Sequence, residues 1–211
     1  MKIEIWSDIM CPFCYIGKRR FDEALAQFAH KDQVEIEWKS FMLSPDMQTD
    51  PSKNINQFLA EHKGISLEEA TGMNDHVANI AAQAGLTYNF DKAVVANSFN
   101  AHRFIHFAKQ YGKQSEAEEK LFAAYFTEGK NIDDAPTLIA IAAEIDLDAA
   151  KLTNVMGSGA YAKDVLADIQ EAQELGIRGV PFFVLNRKYA ISGAQETAVF
   201  LDTLEKAFAE E

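Results

Sequence analysis

Residues 2 to 7, Lys-Ile-Glu-Ile-Trp-Ser, set Ile3 and Ile5 against Glu4, a period of two that predicts a β-strand. From Pro12 to about Ala29 the apolar period lengthens to that of a helix, with Pro12 in the first turn, where a missing N–H costs nothing. Val34 to Phe41 alternates again, so the first forty residues describe a βαβ unit, right-handed by the usual rule. Ser44-Pro45-Asp46 ends it. From about residue 53 to 176 strand character all but vanishes. Helical stretches are predicted over 53–62, 66–84, 92–111, 114–128, 134–145 and 159–175, punctuated by glycines near their ends. Strand character returns over 180–185 and 189–192, joined by a turn at Asn186-Arg187-Lys188. A last helix is predicted from about Gln195 to Ala209, with Ser192 and Gln195 in capping-box spacing. The expected class is therefore α/β, βαβ and then ββα, with a large all-helical insertion. Expected domains are 1–45 with 177–211, discontinuous, and the insertion 46–176.

Composition narrows the function. The chain has 211 residues, 48% of them hydrophobic, enough for a sizeable core. A formal net charge of −12 argues against nucleic-acid or anionic-membrane partners, whose phosphates need clustered Lys and Arg. No apolar run approaches the roughly 20 residues of a membrane span. The stretch before Cys11 lacks the charged-then-apolar pattern of a leader, so a cytoplasmic protein is expected.

The chain's only two cysteines are Cys11 and Cys14, spaced C-x-x-C where the first strand gives way to the first helix. In a reducing compartment such a pair is catalytic or metal-binding rather than a structural staple. Structural zinc needs four ligands and no second pair exists, so no metal is expected. Cys14, Gly17, Phe21, Leu25 and Phe28 fall within about a quarter of the helix circumference at roughly 100° per residue, so Cys14 faces the core. Cys11 lies at the helix N-terminus, where unpaired N–H groups favour a thiolate. Cys11 is the expected nucleophile and Cys14 the resolving thiol, working through a mixed disulfide.

The order of elements, the C-x-x-C at the strand-to-helix junction and Val180-Pro181 at the third strand together resemble the thioredoxin fold of DsbA-family proteins, interrupted by a helical domain. Residues 7–17 (Ser-Asp-Ile-Met-Cys-Pro-Phe-Cys-Tyr-Ile-Gly), the Ala-His-Arg of 101–103, Leu121 to Phe126, Gly179 to Phe183 and Ile191 to Gln195 are similar to the FrnE-like branch. That resemblance implies a cytosolic thiol-disulfide oxidoreductase, a protein disulfide oxidoreductase or isomerase, with no cofactor beyond possible use of glutathione as co-substrate. Its implied partners are protein or small-molecule thiols and disulfides, in a monomer or homodimer. The superfamily also holds 2-hydroxychromene-2-carboxylate isomerases and kappa-class glutathione transferases, the alternative reading; these generally carry Ser where this chain has Cys11.

By the same resemblance Pro12-Phe13 tunes the redox poise. DsbA-like oxidants usually have His at the second of these positions, so Phe13 implies a lower reduction potential. Pro181 resembles the cis-proline opposite the cysteines, and the backbone of Val180 would then pair with an extended peptide or glutathione. Ser192, Gly193 and Ala194, at the expected start of the last helix, form a possible glutathione or anion site. Outside these positions, His102 and His106 share a helical face at ligand spacing but lack partners to complete a site. Phe99, Phe104, Phe107, Phe122, Tyr125 and Phe126 read as core, whereas Phe13 and Met42 could rim the site with apolar surface. Lys39, Asp22 and Glu23 are candidates for proton transfer to Cys14, none of them assigned.

Overall fold

A computed structural model describes residues 1–210. The chain divides into two compact units, Met1–Leu43 together with the chain from Lys163 onward, and Ser44–Ala162.

The first unit is built on a four-stranded sheet. Strands β1 (Lys2–Ser7) and β2 (Glu35–Ser40) are parallel and joined by helix α1 (Pro12–Gln27). Strand β5 (Phe182–Leu185) runs antiparallel to β1, and β6 (Tyr189–Ser192) antiparallel to β5. Helices α8 (Ala162–Glu174) and α9 (Thr197–Ala209) complete the unit. This is the expected βαβ and ββα order.

Strand β1 is central and buried on both faces, so its alternation sorts residues between two interiors rather than between core and water. Ile5 registers with Phe183, and on that face Phe21 of α1, Phe183 and Phe200 of α9 meet ring to ring at centroid distances of 4.7–5.9 Å. Emptying any one of these ring sites costs about 3–5 kcal/mol by the usual large-to-small cost. Trp6 faces the other way, into a cluster with Ala172, Ile177 and Val184, and its indole N–H donates to the Asp168 carbonyl at 3.1 Å. Glu4 and Lys39 flank it there, tied to ions rather than to the apolar core: Glu4 to Arg187, and Lys39 to Asp168, Glu171 and Glu37 at 3.1, 3.2 and 3.4 Å.

Those contacts correct the expected domain boundary. Residues 163–176 were assigned to the insertion, but α8 belongs with the sheet, because the Asp168 carboxylate accepts the Ser40 N–H at 2.9 Å and pairs with Lys39. Helical periodicity alone does not reveal which sheet a helix covers.

The second unit contains α2 (Ile55–Lys63), α3 (Leu67–Gln83), α4 (Phe99–Lys109), α5 (Gln114–Phe122), α6 (Ala135–Glu144) and α7 (Ala149–Met156). A π-helical turn over Ala123–Thr127 extends α5. It is not all-helical: β3 (Asp50–Asn54) pairs antiparallel with the two-residue β4 (Val94–Val95), the latter inside the predicted helix 92–111. Helix α7 was not expected either. It is capped by Asp148, whose carboxylate accepts from the Ala150 and Lys151 N–H groups, and the guanidinium of buried Arg103 gathers the carbonyls of Val155 in its last turn and of Ser158 and Ala160 just beyond it. His102 and His106 are both buried, and among the described residues no three His, Cys, Asp or Glu side chains converge to hold a metal ion. Phe104, Phe107, Phe122, Tyr125 and Phe126 are core.

Candidate active site

The site is assembled where β1 ends. Asp8 turns the chain: its carbonyl accepts the Cys11 N–H at 2.9 Å, and its carboxylate accepts the N–H groups of Met10 at 3.2 Å and Leu43 at 2.7 Å. Fully buried, Asp8 thus clamps the cysteine loop to the segment that follows β2. Cys11 is the N-cap of α1 in extended conformation, Pro12 follows at the first helical position, and Cys14 lies in the first turn. Helix geometry therefore brings the thiols together without distorting the fold. Both are free, 4% and 1% exposed respectively.

The Cys11 thiol donates to the Val180 carbonyl at 3.4 Å, placing that carbonyl directly against the sulfur. The Val180–Pro181 peptide is cis. Cys14 is held neutral: burial pushes its thiol well up, and the hydrogen bond and charge of Cys11 push in the same direction, opposed by the Asp8 N–H and the Ser7 hydroxyl. Phe13 is 40% exposed and Leu43 48%, so apolar side chains stand on the two segments that Asp8 joins.

Several positions acquire a different setting from the one expected. The last helix starts at Thr197, with Glu196 as N-cap and no side-chain cap, so Ser192, Gly193 and Ala194 precede it rather than form its first turn. Gly193 adopts φ +79 and donates its N–H to the Pro181 carbonyl at 2.8 Å; the Gln195 N–H folds back to Gly193. The N–H groups of Gly193 and Gln195 are thus engaged within the loop, and the helix-start argument for an anion site at Ser192, Gly193 and Ala194 does not apply. The proton-transfer candidates are each engaged with other partners. Lys39 is bound by its three carboxylates, Asp22 pairs with Lys18 at 2.6 Å, and Glu23 accepts from Thr197 at 2.8 Å.

Two residues not singled out for the site support it from α1. Arg20 donates to the Ala194 carbonyl at 2.8 Å and pairs with Glu196 at 3.0 Å, pinning the loop before α9. Gly17 leaves room for the proline: a Cβ there would stand 2.8 Å from Pro181 Cγ and 3.5 Å from Ala194. The available signal was a glycine inside an otherwise apolar stripe. For Gly17→Ala, the gain in helix propensity of about 1 kcal/mol offsets an overpacking cost of roughly 1–3 kcal/mol. The thermal midpoint should therefore move by only a few degrees, while the displaced Pro181 lowers the disulfide-exchange rate by about tenfold. Melting curves and exchange kinetics on the purified variant check this, and an unchanged rate contradicts it.

A four-stranded mixed sheet with a dithiol at the N-terminus of its first helix, facing a cis-proline loop, defines a thioredoxin-fold protein. The chain matches the DSBA-like thioredoxin domain family over residues 2–205, and it belongs to that family. It is similar to a probable DsbA oxidoreductase of Streptomyces coelicolor, whose crystal structure shares 38% identity, covers 100% of this chain and 91% of its own, and superposes with a TM-score of 0.93. It is 31% identical to the uncharacterized protein YwbO of Bacillus subtilis, across 99% of this chain and 96% of that one. The cytosolic disulfide reductase DsbM of Pseudomonas aeruginosa, at 15% identity and a TM-score of 0.73 over the full length of both chains, shares the fold. A second DsbM structure contains GSH.

Proposed function

We propose that this protein is a cytosolic thiol-disulfide oxidoreductase of the FrnE-like branch, cycling Cys11 and Cys14 between dithiol and disulfide. The carrying observation is the asymmetry of the pair: Cys11 caps α1 against the Val180 carbonyl, while Cys14 lies beneath it with its proton held. In reduction, the Cys11 thiolate attacks a substrate disulfide, forming Cys11–S–S–R and releasing one thiolate. Cys14 then loses its proton, attacks Cys11 and releases the second thiolate, leaving a Cys11–Cys14 disulfide. Oxidation of a dithiol substrate runs the same steps backwards.

No metal or organic cofactor enters this chemistry. Glutathione is the proposed small thiol that returns the pair to the dithiol form, in line with the GSH found in a DsbM structure. Val180 and Pro181 are the proposed substrate edge, with Pro12 and Phe13 setting the poise. Phe13, which is not a hydrogen-bond donor, supports a reducing rather than a strongly oxidising role.

The test is Cys14→Ser. Incubated with a disulfide-containing peptide, it should accumulate a mixed disulfide on Cys11, visible by intact mass and lost on adding dithiothreitol, while the parent releases the peptide reduced. Failure of Cys14→Ser to form the adduct would rule the mechanism out.

A further inference from the structure

In resting proteins of this chemistry the difficult ionisation is that of the buried thiol, and among the described residues the charged groups of the sheet nearest it are engaged on the opposite face. The row of β1 that faces α1 reads Ile3, Ile5, Ser7, all fully buried. The neighbouring carboxylate, Glu4, points to the opposite face and is held by Arg187, as Lys39 is held by Asp168. What stands near Cys14 is a hydroxyl. Ser7 Oγ has no hydrogen-bond partner of ordinary geometry among the described residues, although Ser7 is 0% exposed. A buried hydroxyl without a partner is costly and calls for an explanation. It lies within reach of the Cys14 sulfur, on which the Asp8 N–H also converges.

We infer that Ser7 and the Asp8 N–H form a donor pair that stabilises the Cys14 thiolate during resolution, with the Ser7 hydroxyl idle while Cys14 is a neutral thiol. A thiol sulfur is a weak acceptor and leaves the hydroxyl poorly satisfied; a thiolate in the same place is a strong one. The step that benefits is the transfer of the Cys14 proton to solvent, followed by attack of Cys14 S⁻ on the Cys11–S–S–R bond, which releases RS⁻. Other charged groups around Cys14 are already engaged: Lys18, one turn on along α1, pairs with Asp22, and the Asp8 carboxylate accepts from Met10 and Leu43. Strand β5 brings only Phe182 to Leu185.

The inference rests on the exchange mechanism proposed above, and one experiment separates the two. Mixed with the aromatic disulfide dithiobis(nitrobenzoate), the reduced parent should release two coloured thiolates, the first from attack by Cys11 and the second from resolution by Cys14. In Ser7→Ala the first phase should stay within about twofold. The second should slow by about tenfold at neutral pH, with its pH midpoint raised by about one unit, the usual worth of a hydrogen bond to a charged group. At pH above both midpoints the two proteins should converge, which a loosened structure would not produce. Ser7→Thr, which keeps the hydroxyl, should restore the parental midpoint. A second phase and midpoint unchanged in Ser7→Ala, or equal slowing of both phases without convergence, overturns the role of Ser7. A parent that releases only one thiolate overturns the exchange mechanism itself.

Discussion

Cys11→Ser is expected to abolish disulfide exchange, lowering the rate of insulin reduction by at least about a thousandfold while the protein remains folded. The chain has one other sulfur nucleophile, Cys14, and it is poorly placed to substitute: 1% exposed, with burial holding it as the neutral thiol. Only the thiolate attacks a disulfide, so at neutral pH Cys14 offers neither access nor charge. Serine keeps the N-cap of α1, since a side-chain oxygen there suits the helix start better than sulfur, and the variant should melt within a few degrees of the parent. Insulin turbidity together with far-ultraviolet circular dichroism reads both quantities. A folded Cys11→Ser protein that still turns over would remove the basis of the proposed function.

The second large effect is on stability. Lys39→Met is expected to destabilise the protein by about 3 kcal/mol at neutral pH, a fall of roughly 6–12 °C in thermal midpoint for a chain of this size. Lys39 is 14% exposed and is the cation shared by Asp168, Glu171 and Glu37, so its loss leaves these carboxylates facing one another near a sheet face. Burial alone would lower the Lys39 ammonium. The charge and hydrogen bond of Asp168, with Glu37 and Glu171, nevertheless hold it well above the ordinary lysine range. A raised lysine contributes stability that is complete below its unfolded value and is lost only as pH rises through the folded one, so this contribution is flat across neutral pH. Glu171 behaves oppositely: burial raises it, but the Arg187 hydrogen bond and the Lys39 charge bring it below the ordinary carboxylate range. Its contribution is present above that range and is lost as pH falls through the folded value. The parent should therefore lose stability on acidification, and the gap between parent and Lys39→Met should narrow as the carboxylates take up protons. Thermal melts at neutral and acidic pH test this; a gap that is constant or widens in acid contradicts it.

Much of the fold was legible because its first and last segments carry strong local signals. The alternation of residues 2 to 7, the proline after Cys11 and the glycine-bounded hairpin depend on backbone geometry and side-chain period, which neighbours in sequence settle. The helices of the insertion other than α7 were legible for the same reason. Its short ladder was not, because Val94 and Val95 read equally as helix or strand until Asp50 and Asn54 are known to lie opposite them. The start of α9 was misplaced by two residues, yet the error changed the chemistry. The spacing of Ser192 and Gln195 suits a capping box, but Arg20 on α1 and the Pro181 carbonyl hold that loop outside the helix instead.

What the sequence determined by itself is where its two cysteines sit. Two cysteines, one turn apart behind a strand and beside a proline, fall one at the helix N-cap and the other in its first turn, since both placements follow from helical geometry. Their surroundings were decided by tertiary structure. That Val180 presents its carbonyl to Cys11, that Gly17 makes room for Pro181, that Lys39 serves an ion network with α8 and that the buried Ser7 hydroxyl lies within reach of Cys14 are contacts between residues as far apart as 169 positions. No local period encodes such pairings; they exist only once the sheet has set its strand order and brought distant segments side by side.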